Sequence, residues 1–281
     1  MEETLKIATR GSRLALKQFE LVARQLEAGG LKVQPVIIKP LGERDTETPL
    51  YDMKEQGVFV RNLNDQILEG NVVAAVHSAK DIPNEIDQKL EISYFSRRAD
   101  PRDFFISASP LEKFSGSVGS SSMRRKNFIH IFNSNTRFES IRGNIETRIG
   151  KWERGMVDSI VVAKAALDRL DLHPKGEVIS ESICPPDPNQ GFIAVVTEKG
   201  SRLGDTMRRI QESEPLWEAS KERDLMVRLR LGCNLAVSIR AEHPKKTIRF
   251  SYANEAERYD FTFKEKVDEP DIRKLEDIIG S

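Results

Sequence analysis

Val72-Val73-Ala74-Ala75-Val76-His77-Ser78-Ala79-Lys80-Asp81-Ile82-Pro83 is the stretch that decides how this chain is built. Five small or β-branched apolar residues in succession read as a short, fully buried strand. Polarity then reverses, with an imidazole, a hydroxyl, an ammonium and a carboxylate inside five residues. Pro83 disfavours helical backbone at Ile82 and keeps the exit extended. In open α/β sheets, ligands collect beyond the carboxyl ends of the strands. The polar residues after this strand, the Asp81 carboxylate among them, therefore mark a candidate active site. Taken alone, Asp81 also suits a turn and His77 a packed core position.

The flanking sequence repeats the pattern. Leu5–Ala8 reads as a strand running into Thr9-Arg10-Gly11-Ser12, then a helix from Arg13 to Glu27 that stops at Gly29-Gly30. Val33–Leu41 reads as a strand, 42–49 and 54–59 as loop, Val60–Glu69 as helix and Leu90–Phe95 as strand. This β-α-β-α-β alternation predicts a mostly parallel sheet covered on both faces.

A breaker cluster, Arg97-Arg98-Ala99-Asp100-Pro101-Arg102-Asp103, opens a second α/β series. Its strands are expected near 104–107, 117–119, 139–141 and 159–163. Its helices are expected after Ser121, over 145–153 and over 165–170. Cys184-Pro185-Pro186-Asp187-Pro188-Asn189-Gln190-Gly191 closes it. A strand over 192–197 and a helix over 202–212 follow.

Two breaker clusters around a middle α/β unit predict an inserted domain. The expected partition is 1–97 with 191–212, then 101–186, then a small α+β domain over 214–281. The predicted fold is thus two periplasmic-binding-protein-like α/β domains joined by a double-crossover hinge, plus that C-terminal domain.

The totals exclude several classes. The 281 residues carry 44 basic and 44 acidic side chains, so the chain has no basic excess of the kind a general nucleic-acid binder shows. Two cysteines, Cys184 and Cys233, imply no disulfide framework and point to a cytoplasmic location. Met1-Glu2-Glu3-Thr4 lacks a signal-peptide layout. No run approaches the roughly 18–20 apolar residues of a membrane span. The four histidines show no metal-ligand spacing, so no metal is expected.

Arginines recur where helices are expected to begin, at Arg10, at Arg124-Arg125, at Arg142 with Arg148, and most weakly at Arg169. A cation at a helix N-terminus is unfavourable by several tenths of a kcal/mol unless an anion is bound there. With one bound, backbone N–H groups and guanidinium forks reinforce each other. Any one such pair by itself reads first as a solvated face. Repetition at strand-to-helix junctions argues for a ligand with several carboxylates or phosphates.

In these segments the chain resembles the porphobilinogen deaminase (hydroxymethylbilane synthase) family. The resemblance is carried by Ala8-Thr9-Arg10-Gly11-Ser12 with Leu14-Ala15 and Gln18, by His77–Pro83, by Asp100–Asp103, by Gly119–Arg125 and by Arg142–Arg148. Gln190-Gly191 and Glu222-Arg223 through Gly232-Cys233 continue it, so that it runs in order over about residues 5 to 240.

The resemblance implies a transferase of tetrapyrrole biosynthesis. It would join four porphobilinogen molecules head to tail into hydroxymethylbilane, releasing ammonia each time, on a dipyrromethane cofactor held covalently by Cys233. Asp81 would be catalytic. Lys80, Ser78, Ser122, Arg124, Arg125, Arg142 and Phe59 would bind the cofactor, and Arg10, Ser12, Arg148 and Arg169 the substrate. Such arginines suit pyrroles that each carry two carboxylates. The expected partner is this small-molecule substrate alone, on a monomer, without nucleic acid or membrane.

Some positions depart from the family pattern: Gln56 where lysine is usual, Leu231 and Asn189 for glycines, Ala236 for proline and Glu146 for a small residue. Lys54 is the nearest candidate to stand in for the missing lysine. The competing reading is a non-enzymatic clamshell that binds a polycarboxylate.

Overall fold

The computed structural model describes residues 4–39, 57–232 and 235–280. Cys233, Lys54 and Gln56 lie outside the described residues. In chain order the elements are β1 (Leu5–Thr9), α1 (Arg13–Ala28), β2 (Val33–Ile37), α2 (Val58–Leu68), β3 (Ala74–Ser78), β4 (Leu90–Phe95) and β5 (Asp103–Ile106). Then come β6 (Gly116–Gly119), α3 (Met123–Phe132), β7 (Thr136–Glu139), α4 (Ile145–Glu153), β8 (Ser159–Ala163), α5 (Lys164–Leu170), β9 (Gly176–Val178) and β10 (Ile193–Glu198). The chain ends with α6 (Arg202–Ile210), α7 (Ser213–Arg228), β11 (Val237–Glu242), β12 (Thr247–Ala253), β13 (Arg258–Lys264) and α8 (Glu269–Gly280).

The described residues divide into two compact units. The first holds residues up to Arg98 together with Phe192–Leu216, so the chain leaves it, makes a long excursion and returns. Its sheet has the order β2-β1-β3-β10-β4. The strand that opened the sequence reading, β3, is buried over Ala74–His77, as the apolar run requires. α1 buries Phe19, Val22, Ala23 and Leu26 against β1, β3 and β10. Their spacing places them on one stripe of the helix.

The second unit holds Ala99–Gly191 and Trp217–Ser281. It contains one five-stranded sheet, β7-β6-β8-β5-β9, and an antiparallel three-stranded sheet, β11-β12-β13. The second sheet packs with α7 and α8 around Ile239, Phe250 and Leu275.

The expectation of mostly parallel sheets needs correction. β10 is antiparallel to both β3 and β4, and β5 is antiparallel to both β8 and β9. A parallel neighbour is imposed by a βαβ crossover, with its helix folded back on the same sheet. β10 follows β4 only after the chain has passed through residues 99–191, so no crossover dictates its direction.

Candidate active site

In the first unit, β1 and β3 are parallel neighbours, so their carboxyl ends lie on one edge of the sheet. Thr9 ends β1 and is fully buried, while Arg10 emerges exposed. The Arg10 guanidinium stacks over the Phe59 ring, 4.6 Å from its centroid. Ser12 caps α1, its Oγ accepting from the Ala15 N–H. This frees the first turn from needing an acidic residue. At the end of β3, Ser78 Oγ accepts from Gln18 Nε2 at 2.7 Å.

Ala79–Asp81 then forms one 3-10 turn, and Ile82 is extended at φ −74° and ψ 123°. The exit is therefore extended, as Pro83 requires, but the turn before it is tighter than a simple strand end. Lys80 is half-buried on this turn and Asp81 is exposed.

His77 faces the other way. It is buried, with Nε2 3.0 Å from Asn64 Oδ1. Burial, and then the nearby positive charge of Arg10, push its pKa down to about 3. It is a neutral packed ring near pH 7 and supplies no proton.

In the second unit, β6 pairs in parallel with both β7 and β8, again bringing three carboxyl ends to one edge. Ser122 caps α3 by accepting from the Arg125 N–H. The two arginines that follow are buried. Both reach one carboxylate, Asp103, which is fully buried at the start of β5. The sequence pattern calls for an anion at this helix start, and the fold supplies one internally.

Burial opposes the Arg124 charge, but Asp103, Cys184 and Asp187 outweigh it and raise its pKa. Arg124 Nε remains buried without a hydrogen-bond partner among the described residues.

Arg142 is half-buried two residues before the α4 cap, Asn144. Its carbonyl accepts from Lys151 Nζ at 3.1 Å, and the next carbonyl, Gly143, accepts from Arg148 Nε at 2.9 Å. Two cations on α4 thus fix the loop that presents Arg142. Arg142 Nη2 is buried and has no hydrogen-bond partner among the described residues.

Arg169 does not begin a helix as expected. It lies in the last turn of α5, where a cation complements the negative end of the helix. Its Nη2 donates to the Gly191 carbonyl at 2.6 Å. Burial lowers its pKa to about 10, which still leaves it charged near neutrality.

Residues 5–204 match the family described as "Porphobilinogen deaminase, dipyromethane cofactor binding domain". The chain belongs to the porphobilinogen deaminase family. Curated relatives agree in length as well as sequence. A probable porphobilinogen deaminase of Thermoplasma acidophilum is 41% identical over 248 residues, covering 88% of this chain and 84% of the relative. Those of Picrophilus torridus and Pyrobaculum calidifontis are 36% and 33% identical, covering 88% and 91% of this chain and 88% and 90% of theirs.

Among solved structures, the chain is similar to a putative methionine-binding lipoprotein from Bacillus subtilis. The TM-score is 0.44 at 11% identity, over 73% of this chain and 86% of that one. A TRAP periplasmic solute binding protein from Desulfovibrio salexigens gives a TM-score of 0.43 at 13% identity, over 74% and 71%.

The residues of this chain fit a polycarboxylate cofactor. An orphaned, buried guanidinium nitrogen on Arg142 asks for an acceptor, and a carboxylate is the strongest one available. The part that Asp103 plays was not legible in its motif. Nothing in Asp100-Pro101-Arg102-Asp103 says that its last residue meets two arginines more than twenty positions later.

Proposed function

We propose that this protein is a porphobilinogen deaminase, a transferase that condenses four porphobilinogen molecules into hydroxymethylbilane with release of ammonia at each step. The observation that carries this reading is the exposed Asp81 carboxylate at the end of the buried strand β3, with Arg10 at the parallel end of β1.

In this reading Asp81 accepts a pyrrole N–H. It would stabilise the positive charge left when ammonia departs and take up the proton lost as the new carbon–carbon bond forms. Arg10 and Ser12 hold substrate carboxylates beside it, and Lys80 and Ser78 those of the cofactor. On the second unit Ser122, Arg124, Arg125, Arg142 and Arg148 offer donors for further carboxylates. Arg169, held on the Gly191 carbonyl, keeps the charge such a role needs. Phe59, under Arg10, would cover the ring system. When bound, the dipyrromethane supplies the nucleophilic pyrrole on which the product grows.

Cys233 is the attachment point in this reading. Cys184 is fully buried, and burial pushes its pKa up to about 12, which keeps it an inert thiol. We also take the three sheets as three domains, 1–97 with 191–212, 101–186 and 214–281, the last carrying Cys233. The same reading makes the enzyme a cytoplasmic monomer that acts on a small molecule. Balanced charge supports a discrete ligand over a polyanion.

Intact-mass measurement of the purified protein tests the proposal, together with Asp81→Ala. The expected result is an adduct mapping to the Cys233 peptide and, in the folded variant, almost no hydroxymethylbilane. A bare Cys233 on all wild-type protein, or near-normal turnover by Asp81→Ala, would overturn it.

A further inference from the structure

Three separated segments of the second unit meet at one side chain. Asp103 Oδ2 accepts from Arg124 Nη2 at 2.8 Å and from Arg125 Nε at 3.1 Å. Oδ1 accepts from Arg125 Nη2 at 2.7 Å and from Gln190 Nε2 at 2.9 Å. Gln190 also donates to the Pro101 carbonyl at 2.7 Å, and so clamps the segment that leads into Asp103.

Each guanidinium is fixed from a second side. Arg124 Nη1 donates to the Pro185 carbonyl at 2.6 Å, and Arg125 Nη1 to the Val161 carbonyl at 2.9 Å. Planar forks held at two points cannot rotate about their stems. Of the carboxylates facing the two guanidiniums, Asp103 is fully buried, while Asp187, 3.8 Å from Arg124 Nε, is partly exposed and can be displaced by a ligand carboxylate. Arg124 Nε is buried without a hydrogen-bond partner among the described residues; Asp187 Oδ1 stands beyond hydrogen-bond reach, which leaves this N–H open to a closer acceptor.

We propose that Asp103 is a positioning residue, locked by Gln190, that holds the Arg124–Arg125 pair in the orientation that receives a ligand carboxylate. It touches neither substrate nor cofactor. It acts through the arginines, whose forks would otherwise collapse onto other acceptors. This inference rests on the porphobilinogen deaminase reading.

The test compares wild type, Asp103→Asn and Gln190→Met by three measurements. These are thermal midpoint, intact mass at the Cys233 peptide, and the dependence of product formation on porphobilinogen concentration. Gln190→Met keeps the bulk and removes the two neutral hydrogen bonds, to Asp103 and to the Pro101 carbonyl, of which the first is the one that orients Asp103. It is expected to fold and to carry the adduct. Its half-saturating substrate concentration should rise about fivefold, with saturated turnover little changed. Asp103→Asn is expected to emerge largely without adduct, and incubation with porphobilinogen should not restore it.

A purely structural role would lower the thermal midpoint of both variants and leave the half-saturating concentration where it was. That outcome overturns the proposal, as does a folded Asp103→Asn with full adduct. If Asp103→Asn does not fold, Gln190→Met decides alone. Wild type with neither adduct nor porphobilinogen consumption brings down the functional reading, and this inference with it. A loaded wild type with unaffected variants brings down only the inference.

Discussion

His77 stands four residues before Asp81 and contributes nothing to its chemistry, because the two side chains have opposite environments. An unfolded histidine binds its proton near pH 6.5. In the folded chain His77 refuses one until about pH 3. Between those values the unfolded state holds the extra proton, so stability falls as pH drops from about 6.5 towards 3. The loss is about 1.4 kcal/mol per pH unit. Denaturant titrations of wild type and His77→Gln at several pH values should therefore diverge, the wild type losing about 3 kcal/mol more by pH 4. Parallel curves would remove His77 as the cause.

Asn189 shows the same dependence on surroundings. It stands where a glycine is usual and sits at φ +59°, in the left-handed region that asparagine tolerates better than most residues. Leu231, another replacement for glycine, is buried in the C-terminal core and anchors the segment leading to Cys233.

At the level of elements, serine and asparagine caps begin the helices that carry the candidate site: Ser12 for α1, Ser122 for α3 and Asn144 for α4. The α4 cap has the least support from packing, since no residue of that helix is fully buried. Asn144 Oδ1 accepts both the Thr147 N–H at 2.8 Å and the Thr147 hydroxyl at 2.7 Å. Gly143, at φ +112°, has no room for a Cβ, which would meet the Thr147 side chain at 2.6 Å.

Asn144→Ala should cost about 1 kcal/mol. It should also speed amide exchange in the first turn of α4, measured by hydrogen–deuterium exchange, ahead of any change in α3. Equal exchange in both helices would show that the cap is not what holds α4.

On the scale of the whole molecule, the second unit is tied together by buried polar bonds as well as by apolar packing. Glu222 on α7 is fully buried. Its two oxygens accept from the Asn189 N–H at 2.6 Å and the Ala241 N–H at 2.8 Å. Ser238 donates to the Pro186 carbonyl, and Asn127 to the Ala253 carbonyl. These bonds join the inserted α/β segment to the C-terminal sheet, which is why the two cluster as one unit.

Glu222→Gln replaces an acceptor with a donor facing an N–H. It should cost about 1–3 kcal/mol. It should also loosen exchange protection around Asn189 and β11 together. Loss confined to one side would contradict a shared tie.

Much of this was legible in the sequence. Hydrophobic periodicity and Gly/Pro punctuation located most strands and helices within a few residues, because burial on one face or two is a local pattern. The Val72–Pro83 run, the capped arginine segments and their order along the chain identified the family and the candidate site residues.

The tertiary structure alone decided strand direction, since β10 and β5 lie antiparallel with no local signal to say so. It alone paired Asp103 with Arg124, Arg125 and Gln190. It made His77 neutral and Cys184 inert, and moved Arg169 from a helix start to a helix end. Each of these depends on which distant groups become neighbours and how much water they lose. A charge in a sequence has neither a partner nor a dielectric until the chain folds around it.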